Sequence, residues 1–127
     1  MTQEDYVSFE TAKLLKEKGF DVYVSSFYNN EGGFNRKEAD WNWNNGPYYS
    51  APTLQMAMKW LRKIHHYYIQ VMLDSWACGG HSGYYVVIQK TDSDFEMMLA
   101  DKIDKVFYDE PEEACESAIK YCLENLI

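Results

Sequence analysis

Cysteine is scarce and odd in number: Cys78, Cys115 and Cys122 are the only three in 127 residues. That excludes a disulfide framework. Cys115 and Cys122 lie seven positions apart on an expected helix, roughly 10 Å along its axis, too far for a bridge. They read as small core residues. No apolar run approaches the roughly 20 residues of a membrane-spanning helix, and the start MTQEDYVSF has neither a basic leader nor an apolar stretch. A cytoplasmic protein that does not enter a membrane is the expectation. Basic residues are also few, with 12 Lys and Arg against 20 Asp and Glu, a net charge of −8 and a pI near 4.8. An acidic surface repels phosphate backbones and anionic lipid, which disfavours nucleic acid polymers as partners. One small anion held by a local cation remains compatible with that field at physiological salt.

What the chain has in abundance is aromatic side chains, 17% of its residues, 11 of them tyrosine. They concentrate with asparagine in Phe27 to Ser50, FYNNEGGFNRKEADWNWNNGPYYS. Flat π-faces beside amides and the basic pair Arg36 and Lys37 match a planar, hydrogen-bonding, phosphorylated ligand. In that reading Trp41 and Trp43 stack, Tyr48 or Tyr49 forms a wall, Asn42 or Asn44 meets a base edge, and Arg36 with Lys37 meets phosphate. Stacking contributes roughly 1–3 kcal/mol per base, so two plates suffice with modest polar help. The competing reading has the tryptophans packed onto the second helix or a sister subunit, with the asparagines building turns.

The length suits one domain with a core of its own. A first helix is expected from Ser8 to Lys18, capped by Ser8, buried through Phe9, Ala12 and Leu15, and stopped by Gly19. GFDVYVSSFY alternates as a strand with Phe20, Val22 and Val24 on one face. NNEGG turns into a second strand ending in ADWNWN, where a period of two points Trp41 and Trp43 the same way. After the NNGP turn, a second helix capped by Ser50 or Thr53 buries Leu54, Ala57, Met58, Leu61 and Ile64, and Met56 with Trp60 widens the stripe. HYYIQVMLDSW and GYYVVIQK form a hairpin around ACGGHS, a third strand lies within Phe95 to Phe107, and a last helix starts at Asp109 with a capping box to Glu112. Its stripe is Ala114, Cys115, Ala118, Ile119, Cys122 and Leu126. The expected class is α+β, order α-β-β-α-β-β-β-α, with helices on an antiparallel sheet.

Other chemistry is thinly represented. Cys78 and His81 could supply two zinc ligands or a thiol with its base, but zinc needs a second pair and none has suitable spacing. The loop's glycines read more simply as a flexible hairpin tip. His65 and His66 fall at a helix C-terminus, where the macrodipole favours a cationic imidazole. The acidic residues Asp101, Asp104, Asp109, Glu110, Glu112 and Glu113 lack calcium-loop spacing. No cofactor and no metal is expected.

Three segments, YVSFETAKLLKEKGFD (Tyr6 to Asp21), YSAPTLQMAMKWLR (Tyr49 to Arg62) and EEACESAIKYCLENLI (Glu112 to Ile127), resemble a family of small uncharacterised proteins of gut bacteria, their prophages and their phages. The resemblance transfers no functional residue. It implies a setting, the host cytoplasm of a phage-encoded protein, where accessory proteins counter host defence and some sequester nucleotide immune signals.

The expectation is a non-catalytic, homo-oligomeric protein that binds a small nucleotide-like ligand through Trp41, Asn42, Trp43, Asn44, Tyr48, Tyr49, Arg36 and Lys37. Three rivals stand beside it. One is a protein-interaction module or inhibitor using the same aromatic patch, and another an enzyme built on Cys78, His81 and His65. The third is a double-stranded RNA binder, suggested by the α-β-β-β-α run and opposed by the acidic balance.

Overall fold

Each helix begins where a backbone N–H finds an acceptor or needs none. In a computed structural model describing residues 5–74, 83–93, 96–98 and 107–127, with Asp74 and 96–98 by backbone alone, helix α1 spans Phe9–Glu17. Its N-cap Ser8 accepts from Thr11 N at 3.2 Å, and Gly19 follows at φ +87°. Thr11, Ala12 and Leu15 are buried, whereas Phe9 is only half-buried. Helix α2, Leu54–His65, is capped by Thr53, and His66 closes it in a left-handed conformation at φ 65°. Helix α3, Pro111–Tyr121, has Glu110 at its N-cap with no side-chain cap bond. The expected Asp109–Glu112 capping box does not form. Pro111 occupies the first turn, where a missing N–H costs nothing. A π-helical turn, Cys122–Leu126, continues α3.

The described strands make two three-stranded antiparallel sheets where one sheet was expected. Strands β1 (Val24–Tyr28), β2 (Phe34–Trp41) and the short β3 (Tyr49–Ser50) form the first, in order β2-β1-β3. Strands β4 (Tyr67–Asp74), β5 (Gly83–Lys90) and β6 (Glu96–Met98) form the second in sequence order. The α+β class holds, and β3 adds a strand to the expected order. The hairpin β4–β5 pairs without interruption from Tyr67↔Lys90 to Asp74↔Gly83. NNEGG turns β1 into β2 as its composition predicts. Asn29 Oδ1 accepts from Glu31 N and Gly33 N, both at 2.9 Å, and Gly32 supplies φ +87°. No helix among the described residues is long and apolar enough to cross a membrane.

The core joins the inner stripes of the helices to both sheets, through Leu15, Phe20, Leu61, Ile88, Ile119 and Leu123 above all. On α2 the buried residues are Leu54, Ala57, Trp60 and Leu61, while Ile64 is 58% exposed. The stripe is thus rotated toward Trp60, whose large ring meets Phe20 edge-on at 5.4 Å. Val22 is also exposed, because β1 begins only at Val24. On α3 the stripe runs as expected through Ala114, Cys115, Ala118, Ile119 and Cys122, with Leu123 joining it and Leu126 half-buried.

Candidate functional site

Trp41 and Trp43 part company at the end of β2. Trp41 is its last residue, and Asn42 caps a 3-10 turn, Trp43–Asn45, by accepting from Asn44 N at 3.1 Å. The turn ends the two-residue period, so the expected pair of parallel plates does not exist. Trp43 stacks on Phe27 at 4.2 Å between ring centroids and 27° between planes, and its Nε1 donates to the Val24 carbonyl at 2.8 Å. Tyr48 closes over the same ring at 4.8 Å. Phe27 alternates with Ser26 and Tyr28 along β1, so these two rings cover the sheet face that Phe27 occupies.

The asparagines are absorbed as well. Asn44 donates from Nδ2 to the Phe20 carbonyl at 2.8 Å and accepts from Ser50 N at 2.9 Å, tying three segments together. Asn42 is buried at the turn it caps. Tyr49 is half-buried against Phe9 at 5.5 Å, with Lys16 Nζ 4.8 Å above its ring. Lys37 is exposed on β2.

Arg36 and Trp41 have a different fate. Five positions separate them, which in a regular strand would send them to opposite faces. The β1–β2 register is irregular here: Ser26 pairs with Arg36 and Val24 with Trp41, so residues 37–40 bulge opposite the single Ser25. Directly paired residues share a face, and both side chains therefore lie on the face of Val24, Ser26 and Tyr28. Arg36 stands over the Tyr6 ring at 6.0 Å. Trp41, 57% exposed, faces Tyr23, 58% exposed, at 6.2 Å and 48°.

A cavity of about 260 Å³ opens on that face, lined among others by Tyr6, Tyr23, Ser26, Asp40, Thr53 and Met56. Ser26 is 1% exposed, and its Oγ has no hydrogen-bond partner among the described residues. A buried hydroxyl without a partner costs about 1–3 kcal/mol, so such groups are rare unless something else satisfies them. Tyr23, Ser26 and Met56 come from different parts of the chain and Asp40 from the bulge, where strand periodicity breaks, so no sequence pattern groups them.

A second cavity, about 620 Å³, is lined by Glu110, Glu112, Glu113 and Glu116 with Tyr6, Ser8 and Tyr28. Four carboxyl groups make it hostile to a phosphorylated ligand, and one of them, Glu116, accepts from Ser8 N at 2.8 Å and so joins α3 to the start of α1. The smaller cavity carries one acidic residue, Asp40.

Compared with known proteins, the chain matches no family model, no curated protein and no solved structure. The site must be read from its own chemistry.

Two further expectations resolve at His65 and the cysteines. His65 sits at the end of α2 as expected, but burial, aided by His66 and Lys18, holds its pKa below the usual 6.5. Its ring meets Trp60 edge-on at 4.7 Å and its Nε2 is buried without a partner among the described residues, so desolvation outweighs the helix dipole. Cys115 and Cys122 are buried core residues as expected, and burial pushes both thiols up to about 12. That makes them poor nucleophiles. Cys78, His81 and the acidic residues Asp101 and Asp104 lie outside the described residues, and no group of three His, Cys, Asp or Glu among the described residues is arranged to hold a metal.

Proposed function

We propose that this chain is a non-catalytic binding protein that holds a small nucleotide-like ligand on the face shared by Trp41, Arg36 and Ser26. One observation carries the reading. The β1–β2 irregularity puts Arg36 and Trp41 on one sheet face with Ser26, and the rings they meet, Tyr6 under Arg36 and Tyr23 beside Trp41, both line the cavity there. Trp41 and Tyr23 offer exposed rings for a base, and Arg36 a cation for phosphate against an otherwise acidic surface. Trp43, Tyr48, Asn42 and Asn44 support the site from within the fold, without meeting ligand. Within the phage setting that the sequence resembles, such a protein acts by sequestering a nucleotide signal.

Isothermal titration against a panel of cyclic and linear nucleotides tests the proposal. Binding should appear in the wild type and fall at least tenfold in Trp41→Ala and in Arg36→Ala. Silence across the panel, with no excess absorbance at 260 nm in freshly purified protein, would sink it.

The exposure of Tyr23 and Trp41 beside an edge strand favours one second reading, a protein-interaction surface. A stoichiometric host protein retained by wild type and lost by Trp41→Ala, with no nucleotide bound, would decide for it. Self-association through the same rings belongs to this proposal, and native mass spectrometry reads subunit number and retained ligand together.

A further inference from the structure

Strand β4 is the outer strand of its sheet, with no neighbour beyond it among the described residues. Edge strands ordinarily carry a charge, a proline, a bulge or very few residues, each of which discourages a new strand from pairing. The other edges follow that rule. β2 carries Arg36, Lys37, Glu38 and Asp40 and is irregular against β1, while β3 has two residues and β6 three. β4 departs from it. Tyr67 to Leu73, YYIQVML, has no charge, proline or glycine, and its ladder with β5 is regular throughout.

The ladder also fixes where the free backbone groups of β4 point. Thr91 N donates to the His66 carbonyl at 2.7 Å, which makes the two a hydrogen-bonded pair in the β4–β5 register. Such pairs alternate with non-bonded ones along an antiparallel ladder. Tyr68, Gln70 and Met72 therefore turn their N–H and C=O groups inward to β5, and Tyr67, Ile69, Val71 and Leu73 turn theirs outward. Tyr84 gives the same parity independently: it lies opposite Leu73 and exchanges both backbone bonds with Tyr108 at 2.8 Å, away from β4. The four outward residues are symmetric about Gln70.

We propose that β4 is a dimerisation edge, pairing antiparallel with β4 of a second copy of this chain about a two-fold axis at Gln70. The surface is apart from Trp41 and Arg36 and does not rest on the nucleotide reading. Only that register engages all four outward residues of both copies, setting Tyr67 against Leu73 of the second copy and Ile69 against its Val71, and the reverse. Four N–H groups from each copy then make eight hydrogen bonds, against about 10 ± 5 in a typical interface. The side chains agree. Tyr68 and Met72, both exposed on the face opposite the buried Ile69, meet each other twice across the axis, a ring against a thioether. The exposed Leu73 comes beside Tyr67 of the second copy. Charge permits a copy here in spite of the net −8. No charged residue stands between Tyr67 and Leu73, so no like charges meet, and at each end His66 falls across from residue 74 of the other chain, an aspartate.

Sedimentation equilibrium of wild type, Gln70→Lys, Gln70→Glu and Trp41→Ala tests the edge. Wild type should reach twice the 14.9 kDa mass of one chain. Either charged variant sets like charges directly opposite each other at the axis and should weaken the dimer at least tenfold. An equal mixture of the two should restore it, because Lys then faces Glu. Trp41→Ala should leave it unchanged. In wild type, the Ile69 and Val71 amides should exchange hydrogen more slowly as protein concentration rises, a readout that needs no substitution to fold. A wild type monomeric at its highest soluble concentration overturns the proposal, as does a dimer whose Ile69 and Val71 amides gain no protection. Charged variants that fail to recombine overturn the axis at Gln70. A dimer lost in Trp41→Ala but kept in both Gln70 variants overturns the proposal and gives self-association to the exposed rings.

Discussion

The Trp43 indole N–H donates to the Val24 carbonyl at 2.8 Å, so the residue that looks most like a ligand plate is a structural clamp. It holds the end of β2 back across β1 and presses on Phe27 at stacking distance. This one contact divides the aromatic segment into rings that belong to the fold and rings that face solvent.

Trp43→Ala should cost roughly 2–3 kcal/mol, from lost ring packing and an unpaired Val24 carbonyl. Trp41→Ala should stay within about 0.5 kcal/mol, because its ring is mostly solvated. Urea denaturation of the two variants measures the contrast. Equal losses would mean that the division between the two rings is wrong.

Asn44→Ala should destabilise by roughly 2 kcal/mol, since Ser50 N and the Phe20 carbonyl each lose a partner beside buried residues. Asn44→Asp should not rescue it. The aspartate keeps an acceptor for Ser50 N but turns an anionic oxygen on the Phe20 carbonyl. Recovery of wild-type stability in Asn44→Asp, read from the denaturation midpoint, would contradict this geometry.

Cys115 and Cys122 should resist alkylation in the folded protein. With burial pushing both thiols to about 12, iodoacetamide at about pH 8 should leave them unmodified until denaturant is added, as peptide mass mapping can show. Stability carries the same signature. Above the ordinary value of 9.0 the unfolded chain releases these protons while the folded chain keeps them, so stability falls as pH rises from 9.0 toward 12. The double variant Cys115→Ala/Cys122→Ala should show a shallower decline.

His65 predicts a slope at the acid end. Its folded pKa lies below 6.5, so between the two values the unfolded chain binds a proton that the folded chain refuses. The contribution of neutral His65 is complete above pH 6.5 and is lost as pH falls toward its lowered folded value. His65→Gln, neutral throughout, should lose less stability on acidification from about pH 7 to pH 5. An identical pH profile for the two proteins would remove His65 as the cause.

Much of this protein was determined by local sequence alone. Ser8, Thr53 and Gly19 mark helix ends because a hydroxyl satisfies an orphan N–H and only glycine takes φ near +87° without strain. NNEGG folds back because Asn29 can accept two nearby backbone N–H groups. The alternation of β4 and β5 specified an uninterrupted hairpin. Tertiary structure decided what those elements do together. Ile64 lies outside because Trp60, a larger ring, claims the inner face of α2 beside Phe20. The sheet divides in two, a matter of long-range pairing on which a period of two is silent. Above all, the bulge at residues 37–40 reverses the parity between Arg36 and Trp41 and puts both on the face of Ser26, against Tyr6 and Tyr23 of the cavity lining. Side-chain alternation predicts faces only while the ladder is regular, and the candidate site lies where it is not.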